Sequence, residues 1–354
     1  MEKIITVIVP TYNMEKYLRK CLDSLIVKEE LMPKLEVLVI NDGSKDSSSS
    51  IAHEYANRYQ QTFKVIDKEN GNYGSCVNRG LAEATGKYIK ILDADDYFNN
   101  QVFGDFLEDL RNMDADMIVT DFAKVNEQGK ITEYCDFHYL EPRVYSFSEF
   151  NRKLHWITMH AVTYKRAIFK DLNYRQTEGI SYTDTEWMFL PMIKVNTVFY
   201  KNILLYSYLL GRAGQTADPV VIKKSMSHSL LCLKNKIMQY KSLPKSLDVD
   251  HRDYLKRDLL GGLNNLYKDI IFTEPSYFKD LSEIEQIIDN TDLKDDVEKF
   301  HVDNMFPYYY VKEWRKHGRV NTFARMIYML KLHIYNSTRP ASKFVRRWLH
   351  KFKD

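Results

Sequence analysis

From Ile4 onward the chain alternates apolar runs with amphipathic ones. IITVIVPTY is apolar and β-branched up to Pro10, and KLEVLVINDGS is a second such run that stops at an Asp-Gly turn signal. FKVIDKEN, KYIKILDADD and ADMIVTDFAKV continue the series as third, fourth and fifth strands. Between them, MEKYLRKCLDSLI spaces Tyr17, Leu18, Cys21, Leu22 and Leu25 as one face of a helix. SSSSIAHEYANRY, SCVNRGLAEATG and VFGDFLEDLRNM read as helices too. Uniformly apolar strands separated by helices predict an α/β fold with a parallel sheet covered on both faces. Ligands of such sheets bind beyond the carboxyl ends of the strands. Those ends are Thr11-Tyr12-Asn13, Asn41-Asp42-Gly43, Asp67-Lys68-Glu69-Asn70 and Asp93-Ala94-Asp95-Asp96, and all four meet along one edge.

Residues 126–215 lose the strict alternation. NEQGKI predicts a hairpin turn, with antiparallel strands reaching Tyr145. SFSEFNRKL opens a helix on a Ser146–Glu149 capping box, and YTDTEWMFLPMI reads as a helix after a loop. From Val220 the pattern changes to long helices. The expected organisation is therefore 1–218 as one domain, in halves 1–125 and 126–218, followed by a helical domain over 219–354.

Composition narrows the class. Charged residues make up 28% and hydrophobic ones 44%, ordinary values for a globular protein. The four cysteines are far apart and form no CxxC pair, which reads as free thiols in a reducing compartment. No run approaches the roughly 20 apolar residues of a membrane span, and the amino-terminal run reads as a first strand rather than a signal peptide. The expected localisation is cytoplasmic.

The chemistry sits at the strand ends. Pro10, Thr11 and Tyr12 leave strand one, where backbone and an aromatic edge can embrace a flat base. Asp42 can accept a hydrogen bond from a base N–H, or simply cap its Asp-Gly turn. Gly71, Gly74 and Gly80 let backbone approach a ligand near Asn78 and Arg79, without forming a known phosphate loop. Asp93, Asp95 and Asp96 fall within four residues, so LDADD is either a solvated turn or half of a divalent-cation site completed by phosphates.

In order and spacing, VIVPTYN, VLVINDGSKDSS and ENGNYGSCVNRGLAEATGKYIKILDADD resemble the family 2 glycosyltransferases. The resemblance covers about residues 3–215. It implies the GT-A fold, a mixed sheet with helices on both faces, and an inverting, Mg²⁺- or Mn²⁺-dependent transfer. The donor would be a nucleotide sugar, usually linked to UDP, and the acceptor a glycan or a lipid- or protein-linked saccharide, as in bacterial cell-surface polysaccharide synthesis. Pro10, Tyr12 and Asp42 match base-binding positions, with Glu15 just inside the following helix. Thr11, Asn78 and Ala94 fall on the donor side. Asp93 matches the carboxylate near the ribose and donor sugar, and Asp95 the metal ligand. The family's Glu-Asp pair, whose Asp is the general base, falls on Thr183 and Asp184, so the base is kept and one carboxylate is lost. Glu186 is the substitute two residues on. Arg212 in LLGRAGQTAD matches a closing loop that holds the diphosphate. Asp96 and His160 are placed on the acceptor side, with His155 and Trp156 as wall residues. The alternative is a catalytically silent scaffold that binds the nucleotide sugar.

Charge adds one more feature. From Lys312 to Asp354 there are twelve lysines and arginines against two acids, on a chain of net charge +3. Such a tail, with Phe344 and Trp348, either lies on an anionic membrane as a peripheral anchor at the inner face of the plasma membrane or packs on the helical domain with its cations solvated. No nucleic-acid recognition module is visible.

Overall fold

The computed structural model describes residues 2–212, 214–216, 219–272, 274–299 and 308–318, with Phe323, Met326, Ile327 and Leu330 beyond. The basic tail's Phe344 and Trp348 lie outside the described residues. These residues group into two compact units, one of Met1–Cys232 with Leu243–Leu255, the other of Leu233–Ser242 with the chain from Lys256.

The first unit is built on a ten-stranded sheet. In chain order the strands are β1 (Ile5–Thr11), β2 (Leu35–Asn41), β3 (Phe63–Asp67), β4 (Tyr88–Ile91), β5 (Tyr97–Phe98), β6 (Met117–Val125), β7 (Ile131–Cys135), β8 (Val144–Ser146), β9 (Val162–Lys165) and β10 (Thr197–Leu209). Their spatial order is β3-β2-β1-β4-β9-β6-β10-β5, with β7 on β6 and β8 on β10. The first four strands run parallel. β9 then pairs antiparallel with both β4 and β6. The fifth predicted strand, β6, is therefore separated from β4 by a strand that comes some 40 residues later, and the sheet is mixed.

All seven residues of β1 are buried, as are all four of β4. Successive side chains of a strand point to opposite faces, so both faces are covered. The covering helices of the first half are α1 (Leu18–Asp23), α2 (Ser48–Arg58), α3 (Asn72–Glu83) and α4 (Asn100–Leu110). The register Thr11↔Asn41↔Asp67 sets the ends of β1, β2 and β3 side by side.

Local signals explain the second half. The β6–β7 hairpin turns at Asn126–Lys130, with Gly129 in the left-handed region at φ 75°. In α5 (Phe147–Lys153) the Ser146 hydroxyl accepts from the Glu149 N–H, half of the predicted box. Two predicted helices are shorter than their periodicity. α1 begins only at Leu18, so Glu15 lies in the loop before it rather than inside the helix. The helix after Tyr182 is the single turn α6 (Asp184–Trp187), followed by a 3₁₀ segment Leu190–Lys194 carrying Pro191 near its start. Proline lacks the N–H that a continuing α-helix needs.

The remaining helices are α7 (Pro219–Lys224), α8 (Met226–Ser242), α9 (Val249–Phe272), α10 (Phe278–Ile288), α11 (Leu293–Lys299) and α12 (Tyr308–His317). The second unit buries Leu259, Leu263, Ile270, Leu281, Ile284, Ile288 and Trp314. Arg315 there pairs with Glu285 at 2.8 Å.

Candidate functional site

At the carboxyl edge of the sheet the ends of β1, β2 and β4 open onto a cavity of about 470 Å³. Pro10, Thr11, Tyr12 and Asp42 line one side of it. Tyr12 is 45% exposed, and Asn13 after it takes a left-handed φ of 54°. The Asn13 carboxamide oxygen accepts from the Lys45 N–H at 2.8 Å, which ties this loop to the start of α2. Asp42 is buried, and its Oδ1 accepts from Lys68 Nζ at 2.6 Å and from the Gly71 N–H at 2.9 Å. The Asp42 carboxylate thus takes its partners from the β3–α3 connection, while the Ser44 N–H of the turn is accepted by Asn41 Oδ1 at 3.2 Å.

The acidic centre follows β4. The Tyr73 hydroxyl donates to Asp93 at 2.9 Å. Asp95 receives Arg212 Nε at 2.5 Å, and both side chains are largely shielded from solvent. Asp96 lies behind them, taking the Tyr206 hydroxyl at 2.6 Å and the Leu209 N–H at 2.7 Å. It thereby anchors the end of β10, from which the Arg212 loop departs. Burial raises the carboxyls of Asp93 and Asp96, and the Asp95 charge beside them raises both further. His160 stacks on Tyr208 at 4.1 Å between ring centres, and its Nδ1 lies 3.0 Å from the Thr158 hydroxyl. Burial, with Lys90 and Lys124 nearby, pushes its imidazole down to about 3, so it is neutral at ordinary pH. Ligand atoms of Asp93, Asp96 and His160 approach within 4.8 Å of one another.

Asp184 reaches the same cavity from the first turn of α6. Its approach is fixed from three sides. Asn78 in α3 pairs with the backbone of Gln176, accepting its N–H at 2.8 Å and donating to its carbonyl at 2.9 Å. Glu186 is buried and accepts the Thr177 N–H and hydroxyl, each at 2.7 Å. Gly74 touches the same segment so closely that a Cβ would stand 2.1 Å from the Thr177 carbonyl oxygen. Tyr182, held at a φ of 67°, then turns the chain into α6 and donates to the Thr216 carbonyl at 3.1 Å, linking the Asp184 turn to the Arg212 loop.

Ten predicted residues therefore line one cavity: Pro10, Thr11, Tyr12, Asp42, Asp93, Ala94, Asp95, His160, Asp184 and Arg212. Four do not. Glu15 is exposed and accepts the Ser47 N–H, Asn78 and Glu186 brace the 176–178 segment, and Asp96 sits behind the acids. Sequence reasoning set Lys68 among the strand-end residues without a role of its own and passed over Tyr73, Tyr182 and Tyr208. The alternation of Tyr206 and Tyr208 on one face of β10 was the available signal for the last. Lys68 and Tyr73 are read only from contacts across the fold.

Residues 6–175 match the family described as Glycosyl transferase family 2. This segment is a family 2 glycosyl transferase domain. Among relatives, an uncharacterised glycosyltransferase of Mycoplasma pneumoniae is 43% identical over 28% of this chain and 34% of its own length. The uncharacterised glycosyltransferase EpsJ of Bacillus subtilis is 34% identical over 35% of each chain. This chain thus spans about a third of the length of these curated relatives. The poly(ribitol-phosphate) β-N-acetylglucosaminyltransferase TarS of Staphylococcus aureus is 23% identical over 72% of this chain and 43% of its own. A crystal structure of TarS residues 1–349 with UDP-GlcNAc superposes with a TM-score of 0.63 at 20% identity, covering 89% of this chain and 92% of that one. A Pyrobaculum calidifontis mannosyltransferase in complex with GDP-Man and Mn²⁺ gives 0.50 at 15% identity, over 95% and 87%. These likenesses show the shared fold of the family 2 domain, the mixed GT-A sheet followed by helices. Among the described residues no helix is long and apolar enough to cross a membrane.

Proposed function

We propose that the protein transfers a sugar from a nucleoside diphosphate donor, with uridine as the base, to a hydroxyl of a saccharide acceptor, inverting the anomeric carbon. The observation that carries this reading is the convergence of Asp42, Asp93, Asp95, Arg212 and Asp184 on one cavity of a family 2 domain. Pro10, Thr11 and Tyr12 form the wall for the base. Asp42, held through Oδ1 by Lys68 and Gly71, presents its carboxylate to the base N–H. Asp93, oriented by Tyr73, faces the ribose and donor sugar.

The donor set suits a hard divalent cation, since crowded carboxylates whose own charges repel offer oxygen ligands. Asp95, with Asp93 beside it, would hold Mg²⁺ or Mn²⁺. Asp96 is committed to Tyr206 and Leu209 and is the weaker ligand. Bound there, the ion supplies Lewis-acid neutralisation of the diphosphate. Arg212 would then be drawn from Asp95 towards the phosphates, where a guanidinium can bind in bidentate fashion. Asp184 takes the acceptor proton as the acceptor oxygen bonds the anomeric carbon and the diphosphate leaves with the electron pair. TarS, a relative of the same fold, has been solved with UDP-GlcNAc, which supports uridine as the base.

The acceptor is a glycan or a lipid- or protein-linked saccharide of bacterial cell-surface polysaccharide synthesis. The enzyme works on the cytoplasmic side, with the basic tail at the membrane. Turnover of a UDP-sugar panel with Mn²⁺ tests the chemistry, and Asp95→Ala must abolish it. Cosedimentation with anionic liposomes before and after removal of residues 319–354 tests the tail, and equal binding sinks that placement.

A further inference from the structure

We propose that Tyr139, His155 and Trp156 form an outer subsite that holds neutral hexopyranose units of the acceptor. This rests on the transfer reading above and names the substrate class on its acceptor side. Trp156 and Tyr139 are 46% and 42% exposed although both belong to a ring cluster whose inner members, Phe122 and Phe137, are buried. Trp156 lies 5.9 Å from Phe122 and 6.0 Å from Phe137 between ring centres. The His155 ring stacks on Tyr139 at 4.6 Å and 21°, so the outer rings are held in place rather than loose.

The patch is joined to the cavity wall through buried rings. Phe122 stacks on His160 at 5.2 Å, and His160 on Tyr208 at 4.1 Å. His160 and Tyr208 both line the cavity that Asp184 enters. The exposed rings are thus backed by buried ones that reach the cavity wall, on the side opposite the base-binding loop of β1 in the order of the sheet.

The chemistry selects the occupant. Large exposed apolar side chains among described residues 126–165 are Tyr134, Tyr139, Val144 and Trp156, three aromatic and one aliphatic. Flat rings with polar neighbours match the C–H face and hydroxyl rim of a pyranose, whereas an acyl chain needs an aliphatic groove. His138 and Asp136 of the same loop are exposed enough to meet hydroxyls. Asp136 and Glu141 place exposed carboxylates on this rim, Glu141 pairing with Arg143 at 3.4 Å, and the Asp136 charge opposes a phosphate-bearing chain.

Saturation-transfer NMR on the full chain, without donor, tests the subsite with maltotetraose, cellotetraose and chitotetraose as probes. At least one is expected to bind, Trp156→Ala and Tyr139→Ala each weakening it at least about fivefold. Trp156→Phe, which keeps a ring, should stay within about twofold of wild type, and thermal melts confirm that each variant folds. No binding by any probe overturns the proposal, as do alanine variants that bind like wild type. Binding of phosphatidylglycerol vesicles through Trp156 in place of the sugars also overturns it. Donor consumption by the wild type is read separately, so failure of the transfer reading is distinguishable from failure of the subsite.

Discussion

Gly74→Ala puts the bracing of Asp184 to the test. The new Cβ would stand 2.1 Å from the Thr177 carbonyl oxygen, 3.0 Å from the Thr177 carbonyl carbon and 3.2 Å from Gln176 Cβ. Non-bonded heavy atoms prefer about 3.5 Å, so the 176–178 segment must retreat by roughly an ångström. Two hydrogen bonds to Asn78, one from Gly179 to the Gly71 carbonyl and two to Glu186 depend on its present position. Weakening several bonds worth about 1 kcal/mol each, with strain from overpacking, puts the loss near 2–4 kcal/mol. Asp184, the proposed base, lies a few residues downstream, and a displacement of about 1 Å at such a group costs on the order of a hundredfold in rate. Gly104→Ala in α4 is the matched control, since its Cβ meets only Val27 Cγ1 at 4.0 Å. There the helix should gain about 0.5–1 kcal/mol. Urea unfolding gives the stabilities and sugar transfer the rates. A Gly74→Ala protein within about 0.5 kcal/mol of wild type and equally active would refute the bracing argument.

Two further perturbations follow from single groups. Lys90 is fully buried, donates to the His160 and Val162 carbonyls at 2.9 and 3.1 Å, and is pushed down to about 7 by burial. Between that value and its ordinary 10.5 the unfolded chain binds a proton that the folded chain lacks, so this group makes stability rise with pH above about 7. Wild type should therefore gain on Lys90→Met by about 1 kcal/mol per pH unit between pH 7.5 and 9 in urea titrations, and parallel pH profiles would contradict it. Ser146→Ala removes the acceptor for the Glu149 N–H at 3.2 Å and should cost about 1 kcal/mol at α5, read as a shift in the unfolding midpoint without a change in slope.

The edge of β1 to β4 was legible because each strand is a largely apolar run and each run stops on polar residues. Parallel registers then bring Thr11, Asn41 and Asp67 together as strand ends must. What the sequence could not reveal is held by tertiary contacts that leave no local pattern. Asn78 read as a donor-side residue because it follows a glycine-rich turn, yet it spends its carboxamide on Gln176. Glu186 read as a spare carboxylate but faces inward to Thr177, since α6 is a single turn and places it away from Asp184. The insertion of β9 between β4 and β6 was equally hidden, because antiparallel pairing of a four-residue strand leaves no mark in local periodicity.

The central claim is that Asp184 acts as the base of a sugar transfer. The most direct measurement is single-turnover transfer from a UDP-sugar with Mn²⁺, comparing wild type with Asp184→Asn while donor affinity is followed in parallel. The Asp184→Asn rate should fall by about 10²-fold or more, with donor affinity changed by less than about threefold. Transfer by Asp184→Asn at the wild-type rate would contradict it.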